Sequence, residues 1–548
     1  MATSTILRGT LLLTAATFLS KFLGMIYVIP FNALVGDVGG TLYGFAYGPY
    51  NILISLSTIG VPLAVSKFVS KYNSLGDYET GRRMFKAGTT LMAVTGVIAF
   101  LLLFFGAELL AKVYLPKDTD GIAVSDVATV IRMVSFALIL IPGMSIVRGF
   151  FQGYQSMGPT AVSQVIEQIV RIIFLLVSAH VVVNVLNGTI TTAVGFATFS
   201  AFIGAIASCI VLFMYWKRRK PYLDKQVRLQ NKSYEIPTSD LFKELFRYAG
   251  PFVLVGIATP LYQQIDALTF ARAMTAIGQT EIISTAFSNI NLYGHKLVII
   301  PVTLATGLSL AIIPALTKSF VQKDKTLMFN QINQSLQIVM LLIVPAVVGM
   351  AILSFESWGT FYGVKEQTII LNGTLLRWYA PVALFFGLFT VTSAILQGIN
   401  QQRFAVISLT AGLLVKGILN IPFIHLFGAK GAIIATMLSV FTAVILNLFK
   451  IKKSIEFDFN QLIKRTMLIT IFTIIMGVLV WLTKTVLSFY ITYEDGRLLA
   501  ALILVVCVLV GGGTYLWLSY QSTLLERILG NRVRIIDKFL NKLTFRRK

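Results

Sequence analysis

Charge is scarce in this chain. Only 13% of its 548 residues are Asp, Glu, Lys or Arg, against 56% that are hydrophobic. A soluble protein of this length cannot cover itself with so few charges, because folding leaves most residues near water. Cysteine is scarcer still. Cys209 and Cys507 each lie inside an apolar run, which excludes a disulfide framework or a cysteine-ligated metal site. The three histidines, His180, His295 and His425, are scattered, and with them go most zinc and histidine-based catalytic schemes. No Gly-rich loop ending in Lys-Ser or Lys-Thr occurs, so the phosphate-cradling nucleotide motif is missing as well.

What the chain does have is apolar length. Stretches of about 20 apolar residues recur from end to end, each long enough to cross a ~30 Å hydrocarbon core. Fourteen candidate helices fall near 7–32, 42–66, 86–114, 124–152, 158–183, 189–216, 246–273, 284–316, 331–356, 370–397, 404–425, 428–449, 465–487 and 497–519. The expected fold is an all-α polytopic membrane protein. The first apolar run passes Lys21 and continues to about Phe31, too long for a signal-peptide core, so it reads as a retained helix.

The net charge of +23 has a topological explanation. Even-numbered loops carry the cations: Lys67, Lys71, Arg82, Arg83 and Lys86 in the second, "KRRKPYLDKQVR" opening the sixth, Lys318, Lys323 and Lys325 in the eighth, and Lys450, Lys452, Lys453, Lys464 and Arg465 in the twelfth. Odd-numbered loops are short and neutral or acidic, with Asp37, then Lys117 beside Asp118 and Asp120, then Glu281, then Glu494 and Asp495. Lys and Arg are retained in the cytoplasm, so both termini are expected there. Nucleic-acid binding is not needed to account for the charge. The basic tail "STLLERILGNRVRIIDKFLNKL" has the spacing of a helix lying on anionic lipid, although a solvated, charge-retaining tail reads equally well.

The two halves resemble each other. "FQGYQSMGPTAVSQVIEQIVRI" (151–172) matches "LQGINQQRFAVISLTAGLLVKG" (396–417) without a gap, placing Gln152-Gly153 on Gln397-Gly398, Ser163 on Ser408 and Arg171 on Lys416. "GVPLAVSKFVSK" (60–71) matches "GLSLAIIPALTK" (307–318) at almost the same offset. Equivalent helices run the same way, so a parallel repeat is expected, as in transporters built of two like-oriented bundles. The organisation that follows is an N-terminal lobe (1–216), a basic linker (217–245), a C-terminal lobe (246–449), two further helices (465–519) and a basic tail (521–548).

Charges inside the spans are costly, and so are candidates for function. Lys21, Arg171 and Lys416 lie near mid-span, too far from either headgroup layer to reach it easily. Lys296 follows His295 in a segment, "NINLYGHKLVIIPVTLATGLSLAIIP", that Gly294, Pro301, Gly307 and Pro314 are expected to interrupt. Broken helices are tolerated where neighbours or a water-filled cavity satisfy the freed backbone groups. Pro49, Gly60 and Pro62 suggest a similar break in the second helix, and Gly24 and Pro30 in the first. Arg148 reads as a snorkelling cation, while Arg132 and Arg377 stand between snorkelling and function. Glu167 and Arg171 sit four apart on one helical face, where a local ion pair is the simplest reading of Glu167. A surplus of cavity cations would attract an anion, and Arg and Lys suit phosphate.

"GVPLAVSKFVSKY", "SQVIEQIVRI" and "GLLVKGILNIPFI" resemble the polysaccharide-transport branch of the multidrug/oligosaccharidyl-lipid/polysaccharide flippase superfamily, closest to its SpoVB/YtgP type and related to the MurJ lipid II flippases. The resemblance covers the whole chain. It implies two pseudo-symmetric six-helix lobes plus two helices forming a lipid-tail groove. It also implies transfer of an undecaprenyl-pyrophosphate-linked sugar headgroup, with lipid II the favoured cargo, to the outer leaflet by alternating access. "FLSKFLG" puts Lys21, and "HKLVIIP" puts Lys296, at positions of cavity arginines in the MurJ type. A third such arginine has no counterpart in the uncharged "PYNILISL" (49–56), where Arg171 and Lys416 are the compensating candidates. Some relatives couple to Na+ or the membrane potential, and Asp266 is the candidate for a cation site here, with H+ a further alternative. Expected partners are the undecaprenyl-linked glycan, anionic membrane lipids and cell-wall synthesis machinery, with the chain a monomer and no resident cofactor.

Other cargoes stay open: a capsule, teichuronic-type or spore-cortex unit presents the same diphosphate. A cation-coupled multidrug exporter would want more cavity carboxylates than cations. A membrane glycosyltransferase or polymerase would want a general base or metal ligands in a large outward loop, and the odd-numbered loops hold no such cluster.

Overall fold

The computed structural model describes residues 2–58, 60–115, 121–230, 237, 256–364 and 366–529. The second half of the basic linker except residue 237, the start of the expected seventh span and the tail beyond residue 529 lie outside them. The described residues are helical, with no strand among them. Among the described residues, eleven helical segments are long and apolar enough to cross a membrane. Ten match expected spans three to six and nine to fourteen, and the remaining one, Ala15–Ser55, runs through the first and into the second.

Two compact units make up the chain, Met1–Tyr293 and Gly294–Lys548. The first contains α1 (Ala2–Ile26), α2 (Val28–Thr58), α3 (Gly60–Ser74), α4 (Tyr78–Tyr114), α5 (Val124–Ser135), α6 (Ala137–Gly153), α7 (Met157–His180), α8 (Ile190–Arg228), α9 (Ala258–Ala276) and α10 (Ile283–Ser288). The second contains α11 (Gly294–Val321), α12 (Lys325–Ile352), α13 (Ser354–Tyr362), α14 (Glu366–Tyr379), α15 (Val382–Gly398), α16 (Gln402–Phe427), α17 (Ala429–Ile455), α18 (Asn460–Ser488), α19 (Arg497–Gln521) and α20 (Leu524–Leu529).

The division falls at 293/294 and not in the basic linker, because α9 and α10 pack on α2 and α4. Thr41 donates to the Ser284 carbonyl (2.8 Å), Tyr293 to the Gly36 carbonyl (2.8 Å) and Gln264 to the Tyr114 hydroxyl (2.6 Å). Phe45 stacks on Phe287 with ring centroids 4.3 Å apart.

Helix α4 shows why these elements suit lipid. Gly88, Met92, Gly96, Ala99, Leu103, Ala107 and Ala111 recur three or four apart and face the interior. On the opposite face Leu102, Phe105 and Leu109 are 67%, 74% and 69% exposed. Small residues meet helices and large apolar residues face outward, the reverse of a water-soluble helix.

Two turns occur once in each unit at constant spacing. Between α3 and α4, Gly76 (φ +79°) ends one helix, and the Asp77 amide donates to the Tyr72 carbonyl (3.0 Å). Asp77 also caps α4 by accepting from the Thr80 amide at 2.9 Å. Between α11 and α12, Lys323 (φ 56°) and Asp324 repeat this, with Asp324 donating to the Ser319 carbonyl (3.1 Å) and accepting from the Leu327 amide (2.9 Å). Every position is 247 from its counterpart. The second turn follows α6 and α15. Gln155 (φ 56°) and Asn400 (φ 60°) close it, with Ser156 donating to Phe151 (3.0 Å) and Gln401 to Leu396 (2.7 Å), all 245 apart. Both are left-handed helix C-caps with the long six-to-one hydrogen bond.

The expected breaks are partly relocated. Helix α11 runs unbroken through Pro301, Gly307 and Pro314, so these do not interrupt it. A proline removes one hydrogen bond, and neighbouring helices tolerate that loss in a membrane protein. The interruption is instead a π-helical turn at Asn289–Tyr293, ending just before Gly294. Pro49 lies likewise inside α2, whose one non-helical residue is Gly36 (φ 61°, ψ −159°), beside Asp37. Gly60 opens α3 and Pro62 sits in its first turn, where a proline costs little. The first helix breaks at Tyr27, between Gly24 and Pro30.

Candidate functional site

Arg171 of α7 sits against a tyrosine ladder on α2. Tyr43, Tyr47 and Tyr50 are spaced i, i+4 and i+7, so one helical face carries all three. Tyr43 and Tyr47 stack with centroids 4.1 Å apart and planes 7° from parallel, and Tyr47 meets Tyr50 edge-on at 5.2 Å. The Arg171 guanidinium donates to Tyr47 (2.5 Å) and Tyr43 (3.3 Å), and its carbon lies 5.6 Å from the Tyr47 ring centre. Tyr43 in turn shares a 2.8 Å hydrogen bond with Tyr27, and Phe31 packs edge-on against it. The rings supply acceptors and a π-face but no carboxylate, so the guanidinium keeps its full charge. Its Nε is buried and has no hydrogen-bond partner among the described residues. An unsatisfied buried donor costs about 1–3 kcal/mol, which an incoming anionic oxygen would relieve.

Glu167 does not pair with Arg171. Its carboxylate accepts from Arg148 of α6 at 2.6 Å, and Arg148 also donates to Ser163 (3.0 Å) and Ser208 (2.8 Å). Arg148 therefore turns into the bundle and does not snorkel. A tighter packing device accompanies it. Gly204 of α8 passes so near Glu167 and Arg171 that a Cβ there would lie 2.8 Å from the Glu167 carbonyl oxygen. In the second unit the equivalent place holds a neutral cluster. Ser408 donates to Asn447 (2.5 Å), which donates to Thr392 (3.1 Å) and Ser393 (3.2 Å), all four fully buried. Ser163 and Ser408, and Arg148 and Ser393, are each 245 apart.

Lys21 is exposed on α1, beside the face through which Thr17 and Ser20 reach Gln164 of α7. Among the described residues it makes no hydrogen bond or ion pair. Lys296 is half-buried on α11, and the preceding His295 shares a 2.8 Å hydrogen bond with Tyr379 of α14. Lys416 corrects an expectation. It is fully buried, and its ammonium donates to the Ala432 carbonyl (2.9 Å) and the Thr436 hydroxyl (2.6 Å) of α17. Its charge is spent on packing α16 against α17 and does not line a cavity. Asp266 is buried in α9. Arg132 lies 4.0 Å from Glu108, which also pairs with Lys112, and exposed Arg377 stands over the Phe355 ring at 5.1 Å.

The second unit also holds an apolar cleft between α12, α13, α18 and α19, of about 390 Å³, lined by Leu341, Gly349, Met476, Val480, Leu504 and Tyr515 among others. Near it Lys484 of α18 pairs with buried Glu356 of α13 at 2.8 Å and reaches the Ile352 carbonyl at 3.2 Å. Neither the tyrosine ladder nor Lys484 stood out in the sequence. The i, i+4, i+7 tyrosines are a readable signal, whereas Lys484 lies four residues from the end of α18, where a cation is ordinary.

Residues 6–320 match the family described as polysaccharide biosynthesis protein. The chain belongs to this family. Over 531 residues, 97% of this chain and 98% of the other, it is 47% identical to lipid II flippase MurJ of Bacillus subtilis (strain 168). Among solved structures, a lipid II flippase MurJ in an inward closed conformation superposes with a TM-score of 0.68 at 18% identity, covering 95% of this chain and 99% of that one. An inward-facing multidrug resistance MATE family transporter of the MOP superfamily gives 0.61 at 14% identity, covering 79% and 98%. The chain thus shares its fold with both a MurJ flippase and a multidrug transporter.

Proposed function

We propose that this chain is a lipid II flippase of the bacterial plasma membrane, a transporter and not an enzyme. The observation that carries this is the 47% identity to a MurJ flippase across 97% of the chain. The reading extends to fourteen membrane helices, two like-oriented six-helix lobes and both termini in the cytoplasm. The twin turns 245 and 247 residues apart and the basic even-numbered loops support it.

In this reading Arg171, with Lys21, holds the lipid-linked diphosphate in the first unit, and Lys296 is the candidate cation of the second. Arg171 is the best-supported member. Its tyrosines fix the guanidinium plane and leave Nε–H for a phosphoryl oxygen, and their rings offer a π-face to a sugar. Alternating exposure of these cations moves the headgroup. The prenyl tail stays in lipid, with the cleft along α18 and α19 as its track. Asp266 is the candidate for coupling to Na+ or H+, with the membrane potential the alternative drive. The decisive experiment is depletion in cells lacking redundant flippases. Lipid II should accumulate on the cytoplasmic side, and normal outer-leaflet lipid II would reject the cargo.

A further inference from the structure

A second cavity of the C-terminal unit is lined by none of the residues assigned above. It measures about 620 Å³ and lies between the α11–α12 turn and the end of α17, lined by Lys323, Lys325 and Lys453 with one carboxylate, Glu456. Its floor is closed. Ser319, Met328 and Ile455 line it and are 1%, 4% and 8% exposed. The three lysines at its rim are exposed. Both loops beside the cavity place a charged residue at positive φ, Lys323 at 56° and Glu456 at 57°. The contrast with the first unit is direct, since the same turn there uses Gly76 at the position of Lys323. A glycine would fit that backbone more easily, so a lysine in its place asks for a reason.

The surroundings are apolar. Val321, itself on the cavity wall, is 69% exposed, Leu327 is 45% exposed and Phe449 of α17 is 62% exposed. Cations at the rim of a half-open cavity, beside apolar side chains at the ends of membrane helices, match the two parts of an anionic lipid. We propose that this cavity binds the headgroup of an anionic glycerophospholipid of the phosphatidylglycerol class. The three ammonium groups take the phosphodiester, and Glu456 accepts from the glycerol hydroxyls. The acyl chains lie along Val321, Leu327 and Phe449. A choline headgroup would bring a fourth cation to the lysines and is disfavoured. The site is independent of the cargo assigned above.

The test uses the full chain in phosphatidylcholine nanodiscs titrated with phosphatidylglycerol, with bound lipid counted by native mass spectrometry. The Lys323→Gln/Lys325→Gln/Lys453→Gln variant should bind phosphatidylglycerol at least about tenfold more weakly, given the attraction each cation near an anionic surface supplies. Neutralising Lys217, Arg218 and Lys220 instead should leave binding unchanged. If the triple variant fails to fold, Lys453→Gln alone should give a loss of about threefold on the same reasoning. Unchanged affinity in the lysine variants would overturn the proposal. So would equal loss in both neutralised sets, or displacement of the lipid by equimolar inorganic phosphate. Loss of polyprenyl diphosphate binding with phosphatidylglycerol binding intact would assign the cavity to the cargo and overturn it too.

Discussion

Glu167 forms its ion pair with Arg148 on the preceding helix, 2.6 Å away, and leaves Arg171, one turn along its own helix, to the tyrosines of α2. The two arginines of one helical neighbourhood therefore do different work. Arg148 is neutralised and holds α6, α7 and α8 together, while Arg171 remains a cation. Replacing Arg148 by Met strands a carboxylate. The expected loss is about 2–3 kcal/mol, below that for a fully buried pair because the partners keep 16% and 19% of their side-chain surface exposed. The Arg148→Met/Glu167→Leu double variant should recover most of the melting temperature in detergent. Simple additivity of the two single changes would show that the pair is not coupled.

Arg171 should be needed for transport and not for folding. Arg171→Ala is expected to lower lipid II translocation in proteoliposomes at least about tenfold, and Arg171→Lys less, since an ammonium keeps the charge but not the planar fork. Tyr47→Phe removes the hydroxyl acceptor and keeps the ring, so a loss of about threefold is expected, the size of one modest hydrogen bond. Wild-type translocation by Arg171→Ala would remove this residue from the headgroup site.

Gly153 and Gly398 are expected to be intolerant of side chains for the same reason in both units. A Cβ on Gly153 would lie 2.7 Å from the Val69 Cβ, and one on Gly398 would lie 2.8 Å from the Leu316 Cβ. Either Gly→Val change should cost about 1–3 kcal/mol by overpacking, read as a lower melting temperature and yield. Gly158→Ala, with open space around it, serves as the control and should be neutral or slightly stabilising.

Lys323→Gly separates backbone strain from charge. The left-handed conformation at φ 56° costs a non-glycine residue about 1–2 kcal/mol. Glycine should therefore leave the protein at least as stable on melting, while phosphatidylglycerol binding weakens. A marked fall in melting temperature would mean that the lysine side chain contributes to the fold itself.

The amino-acid sequence by itself determined the membrane class, most of the helices and the family. Apolar length and loop charge follow from transfer free energy and need no tertiary context. The internal repeat was legible too, in the match of 151–172 to 396–417 and of 60–71 to 307–318, and the caps at Asp77 and Asp324 add to it in the structure. Tertiary structure alone decided what each intramembrane charge does. Arg171 and Lys416 occupy matching positions and look alike in the chain, yet one lies against tyrosines with an Nε–H unpaired among the described residues and the other is buried against a carbonyl and a hydroxyl. The neighbours that make the difference, Tyr47 on α2 and Ala432 on α17, lie 124 residues before Arg171 and 16 residues after Lys416. A charge in a low-dielectric bundle is governed by such contacts, and spacing along one helix does not specify them.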